Sequence, residues 1–183
     1  MNYIDNQLNI LINEELNNSN INKYISKVHP DMDLKYNSLN IAVGKPGTSK
    51  TTTFMKTMIK LCQYPNSYHL ILYVSNIDSD DTINSLKKYV SIPMLHVSYN
   101  DFLDRFEKLI ETKQAYWNAI RNNDINQIYN LSNVLYLNNP VKNIQTMILC
   151  DDAGWLFTKK SPMLVHFSKL RHYQCSFWLN IQI

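Results

Sequence analysis

The stretch GKPGTSKTTT, beginning at Gly44, constrains this chain more than any other feature. Before it, Leu39-Asn40-Ile41-Ala42-Val43 is a short apolar run that reads as a buried strand. After it, Phe54, Met55, Met58, Ile59, Leu61 and Cys62 recur at helical spacing. Strand, glycine turn, helix is the setting in which G-x-x-x-x-G-K-[ST] binds phosphate. Backbone amides wrap the phosphates there, and the helix aims its N-terminal dipole at them. The chain has only three glycines, and two of them, Gly44 and Gly47, lie in this loop. Glycine used so sparingly marks places where backbone approaches something closely or turns with positive φ. Ser49 stands where the second glycine of the pattern belongs. A left-handed serine costs about 1–2 kcal/mol, which is small against a set of phosphate contacts. Gly44, Lys45, Pro46, Gly47, Thr48, Ser49, Lys50, Thr51 and Thr52 are therefore the expected ATP cradle. Lys50 would neutralise the β- and γ-phosphates, and Thr51 would ligate Mg²⁺. The plain alternative, a turn with a chance lysine, does not explain the strand before and the helix after.

Further along, apolar runs and helical patterns alternate. HLILYVS (69–75), PMLHVSY (93–99), TMILC (146–150) and CSFWLNIQI (175–183) read as strands. A helix is expected over about 80–90, and two more over about 100–138. Ser161-Pro162 caps another helix, with Met163, Leu164, Phe167 and Leu170 facing inward. Strands that alternate with helices predict an α/β fold, a mostly parallel sheet covered by helices on both faces. At 183 residues the length suits one such domain. Residues 1–37 have loosely helical aliphatic spacing up to His29-Pro30 and read as a helical lead-in. Residues 38–183 form the ATPase domain, with a helical insertion at about 100–138.

A second element carries chemistry. The run ILCDD ends an apolar strand in two acids about a hundred residues after the loop. Asp151 would sit at the carboxyl edge of the sheet and hold Mg²⁺, while Asp152 would orient or deprotonate the attacking water. On their own, two such acids are an ordinary helix cap; beside a phosphate loop they form a catalytic pair. The third element is the tail. Arg105, Arg121 and Arg171 are the only arginines. Arg171 either favours the end of its helix as a cation or meets a γ-phosphate across a subunit interface. Gln182, near the end of the last strand, would sense the γ-phosphate; Asn180 competes for that role, since strand register is open.

Other features are bland. A net charge of +3 is not that of a polycationic DNA coat. Cys62, Cys150 and Cys175 sit in apolar segments without metal spacing and read as reduced, buried thiols. His29, His69, His96 and His166 show no metal spacing either, and Trp117, Trp155 and Trp178 read as core. Lys87-Lys88 and Lys159-Lys160 are short solvated pairs. No run of apolar residues is long enough to span a membrane, and the N-terminus lacks a secretion signal.

Together, GKPGTSKTT, ILCDD and RHYQCSFWLNIQ resemble motifs of the genome-packaging ATPases of poxvirus-like large DNA viruses and virophages, within the FtsK–HerA superfamily. The resemblance covers residues 38 to 183. It implies a RecA-like P-loop ATPase using ATP and Mg²⁺ to move double-stranded DNA into a capsid. It further implies a homo-oligomeric ring, capsid or portal-vertex partners, and residence in the host cytoplasm or the virion. Members of that family continue for at least one more strand and helix, which would leave the final strand here as an unprotected edge. The competing expectations are a helicase or AAA-type ATPase, a nucleotide kinase, and a non-catalytic assembly protein. A kinase would need lid arginines that this chain lacks.

Overall fold

The computed structural model describes residues 27–29, 32–61, 68–76, 81–141, 144–158 and 161–183. Strands β1 (Lys27–His29) and β2 (Met32–Lys35) pair antiparallel and lead into β3 (Leu39–Gly44). This ribbon lies where the helical lead-in was expected to end; residues 1–26, the rest of that lead-in, fall outside the described residues. Cys62 and Lys159-Lys160 also lie outside them.

From β3 the chain alternates as its sequence implies. Helix α1 (Lys50–Leu61) leads to β4 (Leu70–Val74), and α2 (Asp81–Tyr89) to β5 (Met94–Val97). The helical hairpin α3 (Tyr99–Arg121) and α4 (Ile125–Val134) precedes β6 (Thr146–Cys150). A 3₁₀ turn (Ala153–Phe157) and short helices α5 (Met163–Phe167) and α6 (Leu170–Tyr173) then lead to β7 (Cys175–Gln182). The five strands β3 to β7 form one sheet in the order β3-β7-β6-β4-β5, with every pairing parallel. The expected α/β class is the observed one.

Each face has its own helices. Leu70, Leu72, Val74, Ile148, Phe177 and Leu179 pack with Phe102, Phe106 and Ile110 of α3. Ile71, Tyr73, Met147 and Leu149 point the other way, against Phe54 and Met58 of α1 and Leu86 of α2. All residues of β4 and β6 are buried, as covering both faces requires. Caps fix where the hairpin helices begin. Ser98 accepts from the Asp101 amide at 3.2 Å, and Asp124 accepts from the Gln127 amide at 3.0 Å.

Three expectations change. The run 39–43 is a strand, but an edge strand: Leu39, Ile41 and Val43 stay exposed because no described element covers that face of β3. The final strand is not an edge; β7 lies between β3 and β6, and the edges of the sheet are β3, which carries the loop, and β5. The helix after Ser161-Pro162 is two short helices, because the backbone at Lys169 leaves helical geometry (φ −114°, ψ 9°). Leu164, expected to face inward, is exposed.

Candidate nucleotide-binding site

Parallel pairing brings the carboxyl ends of β3, β7 and β6 side by side, the edge where open α/β sheets bind ligands. Gly44 ends β3, and Lys50 opens α1. A Cβ on Gly44 would lie 2.6 Å from the Thr48 hydroxyl oxygen, so only glycine lets the loop fold back this tightly. That hydroxyl donates to the Lys45 carbonyl at 2.7 Å and closes the turn. Gly47 turns with φ 76°, and Ser49 follows at φ 62°, in the left-handed conformation its place in the motif implies. The Ser49 carbonyl accepts from the amide and the hydroxyl of Thr53, at 2.8 and 3.0 Å, which starts the helix. Lys50 curls back so that its Nζ donates to the carbonyls of Gly44 and Lys45, at 2.9 and 3.0 Å.

A cavity of about 310 Å³ opens over this loop, lined by residues 46–52 with Asp151 and Gln182. The cavity brings Lys50, Thr51, Asp151 and Gln182 together. Asn180 and Gln182 share a face of β7 but do different things. Asn180 is fully buried, and its amide nitrogen donates to Asp151 Oδ1 at 2.9 Å and to Thr51 Oγ1 at 3.3 Å. Its own oxygen accepts from Trp178 Nε1 at 3.1 Å, which fixes which way the amide points. Gln182, exposed at the rim, faces the cavity. Thr51 and Asp151 thus offer two hard oxygens gathered by one amide, a donor set that suits Mg²⁺.

Asp152 does not line the cavity. It is exposed, at φ 48° and ψ 49°, just before the 3₁₀ turn. Left-handed backbone in a non-glycine residue persists only where neighbours hold it. Here the Asp151 amide is held by the Val74 carbonyl at 3.1 Å, and the Asp151 carbonyl accepts from the Tyr99 hydroxyl at 2.5 Å. Burial, together with the charges of Asp152 and Asp151, pushes the Tyr99 phenol up to about 12, so it stays a donor at any physiological pH. Sequence reading missed Tyr99. Its signal was slight: it closes PMLHVSY, which reads as a strand, and lies two residues past the end of β5.

Arg171 lies elsewhere. It is exposed on α6, which enters β7 at its amino end, while the cavity lies at the carboxyl end. An eight-residue strand is roughly 25 Å long, beyond the reach of an arginine side chain. His96 bonds the Ser75 carbonyl at 2.9 Å, and Trp155 and Trp178 pack against the core clusters. No group of three or more His, Cys, Asp or Glu among the described residues could hold a metal. No described helix is long and apolar enough to cross a membrane.

No family model matches the chain, and no curated protein matches it. Among solved structures, EssC (ATPases 2 and 3) from Geobacillus thermodenitrificans is similar, with 13% identity and a TM-score of 0.47. That likeness covers 80% of this chain and 28% of EssC. The pCW3 conjugation coupling protein TcpA, in monomer form with ATPγS, is similar at 9% identity and a TM-score of 0.43. It covers 79% of this chain and 42% of TcpA, so this chain spans less than half the length of either structure.

Proposed function

We propose that this chain is a Mg²⁺-dependent ATPase domain that moves double-stranded DNA, and within that class a genome-packaging motor. It works as a homo-oligomeric ring with capsid or portal-vertex proteins, in the host cytoplasm or the virion. One observation carries the ATPase reading: Asn180 gathers the Thr51 hydroxyl and the Asp151 carboxylate beside the loop that holds Lys50. The packaging reading is supported by the joint resemblance of the loop, the acid pair and the Arg-His to Gln tail.

In this reading Lys50 exchanges the carbonyls of Gly44 and Lys45 for β- and γ-phosphate oxygens. Thr51 and Asp151 would hold Mg²⁺, which when bound neutralises charge on the β- and γ-phosphates. Asp152, outside the cavity lining here, would have to turn toward the nucleotide to take a proton from water as the water oxygen bonds the γ-phosphorus. The bond from that phosphorus to the β,γ-bridging oxygen breaks, and ADP leaves with the electron pair. Gln182, at the rim, reads whether the γ-phosphate is present. Arg171 is too far from its own site to act there, which favours delivery into a neighbour's site in the ring.

The test is ATP turnover with and without double-stranded DNA, alongside solution mass with DNA and an ATP analogue. DNA-stimulated turnover and a multimeric mass support the motor. Turnover that depends on a nucleoside acceptor would make the chain a kinase, and binding without turnover an assembly protein. Asp152→Asn should retain ATP binding and lose about 10²–10⁴-fold in turnover, the usual worth of a general base.

A further inference from the structure

Helix α3 connects the two distant ends of the proposed chemistry. Its first residue, Tyr99, holds the Asp151 carbonyl at the carboxyl edge of the sheet. Fourteen residues on, roughly 21 Å along a helix, Lys113 is fully buried at the amino edge. There its Nζ donates to the carbonyls of Tyr173 and Gln174, both at 3.0 Å, and lies 3.4 Å from Cys175 Sγ. Those carbonyls sit where α6, the helix that carries Arg171, turns into β7. The turn depends on Gln174, held left-handed at φ 50°. Gln174 is also tied to β6 and the residues just before it: its side-chain oxygen accepts from the Ile144 amide at 2.7 Å, and its carbonyl from the Thr146 amide at 3.1 Å.

A buried lysine needs a reason. An ammonium out of water is costly unless its protons are bonded, and an apolar side chain of the same length would fill the space. Lys113 uses its charge to cap carbonyls at the end of a four-residue helix, too short to fix its own direction. Arg171 lies on that same short helix, two residues before Tyr173.

We infer that Tyr99 and Lys113 are positioning residues on one rigid helix. Tyr99 sets the acid pair of its own subunit, and Lys113 sets the arginine that the same subunit offers to the next. This rests on the ring reading above, in which Arg171 acts in a neighbour's site. It makes α3 the part that keeps a subunit's acid site and its outgoing arginine in fixed relation.

Mixing experiments on the full chain test this. With Tyr99→Phe, turnover should fall by about 10²-fold, the scale of an ångström's misplacement, with ATP affinity within about twofold. Lys113→Met should lose turnover as Arg171→Ala does, again with ATP still bound. Mixed with Asp152→Asn, Lys113→Met should regain activity, because some interfaces then pair an intact acid site with a well-set arginine. Mixed with Arg171→Ala, it should regain none. Tyr99→Phe should behave in reverse, rescued by Arg171→Ala and not by Asp152→Asn. Merely structural damage would not sort the two variants into opposite groups. If Lys113→Met does not fold, Gln174→Gly replaces it, since glycine accepts the left-handed turn and loses the bond to the Ile144 amide. Full turnover in Lys113→Met or Gln174→Gly, or rescue of both groups by either partner, overturns the inference. Full turnover in Arg171→Ala itself overturns the ring reading instead, and the role of Lys113 with it.

Discussion

Lys50 and Lys113 share a pair of bonds. Each ammonium donates to two backbone carbonyls at 2.9 to 3.0 Å. Lys50 does so on an open loop beside a cavity, Lys113 with no exposed surface at all. Water can replace the carbonyl partners of Lys50, and so can a phosphate, at small cost. Nothing replaces those of Lys113, since its ammonium, cut off from water, would be left buried and unpaired. On the proposed ATPase reading, that difference separates a lysine that would bind ligand from a structural one. A functional cation has partners it can give up.

Removing each lysine should break the likeness most visibly. Lys50→Ala should weaken ATP binding by about 10²–10⁴-fold, since hydrogen bonds to charged groups are worth about 1.5–3 kcal/mol each. Its melting temperature should hold. Isothermal titration and thermal unfolding on the same sample check both, and unchanged affinity would remove the loop from the site. Lys113→Met should do the opposite to both readings. It should cost about 1–3 kcal/mol of stability, as the Tyr173 and Gln174 carbonyls lose a charged donor and keep only the Cys175 thiol and the Thr146 amide, while ATP affinity stays the same. For a chain of this size each kcal/mol moves Tm by about 2–4 °C.

Sequence reading caught one lysine and missed the other for a physical reason. Lys50 belongs to a local pattern, in which strand, turn and helix follow within some twenty residues. The same holds for Asp151, whose strand and position are both local. Lys113 falls on the apolar face of α3 with Phe102, Phe106, Ile110, Tyr116 and Ile120, and that spacing was its only signal. Its partners come from residues 173 to 175, and nothing local announces them. The same limit explains β3 and β7. That each is a strand was readable, but which of the two lies at the edge depends on a pairing between residues more than a hundred positions apart. The choice between Asn180 and Gln182 dissolved for a related reason: one register puts both on the site's face, one beneath it and one at its rim.

Solution pH sharpens the contrast at a smaller scale. Burial, aided by the charge of Lys113, lowers His69 from 6.5. The unfolded chain then binds more protons below that value, so stability should fall as pH drops below about 6.5. On the alkaline side, burial raises Cys150 and Cys175 from 9.0, raises Tyr36 and Tyr116 from 10.0, and lifts Tyr99 to about 12. These groups keep their protons longer when folded, so stability should fall as pH rises above about 9. Burial of Lys113 works against them, because its folded value lies below 10.5 and the unfolded chain holds that proton more tightly. Lys113→Met removes the one opposing contribution, and it also removes the charge that holds Cys175 down. Its urea midpoint should therefore fall more steeply than wild type's between pH 9 and 10.5. Parallel curves would mean that Lys113 binds its proton as tightly in the folded chain as in the unfolded one.

The smallest effect concerns Ser49, where the loop departs from its motif. Ser49 sits at φ 62°, a conformation that costs a side-chain-bearing residue about 1–2 kcal/mol and glycine almost nothing. The substitution Ser49→Gly removes that strain but frees the unfolded backbone, which takes back roughly 0.5–1 kcal/mol. A net gain of only a few tenths to about 1 kcal/mol should remain, read as a small rise in Tm. The Ser49 carbonyl, which starts α1 through Thr53, is kept in the variant. ATP affinity tells whether the serine does more than fill its place. If the variant is slightly more stable and binds ATP equally well, the hydroxyl is incidental, and Lys50 remains the loop's cation with carbonyl partners to exchange. If ATP binding drops while stability rises, the hydroxyl contacts phosphate, and the cation shares its task with a neutral neighbour. Loss of stability would mean that Ser49 is held in place by contacts outweighing its strain, and the loop would then resemble the buried Lys113 cap more than an open cradle.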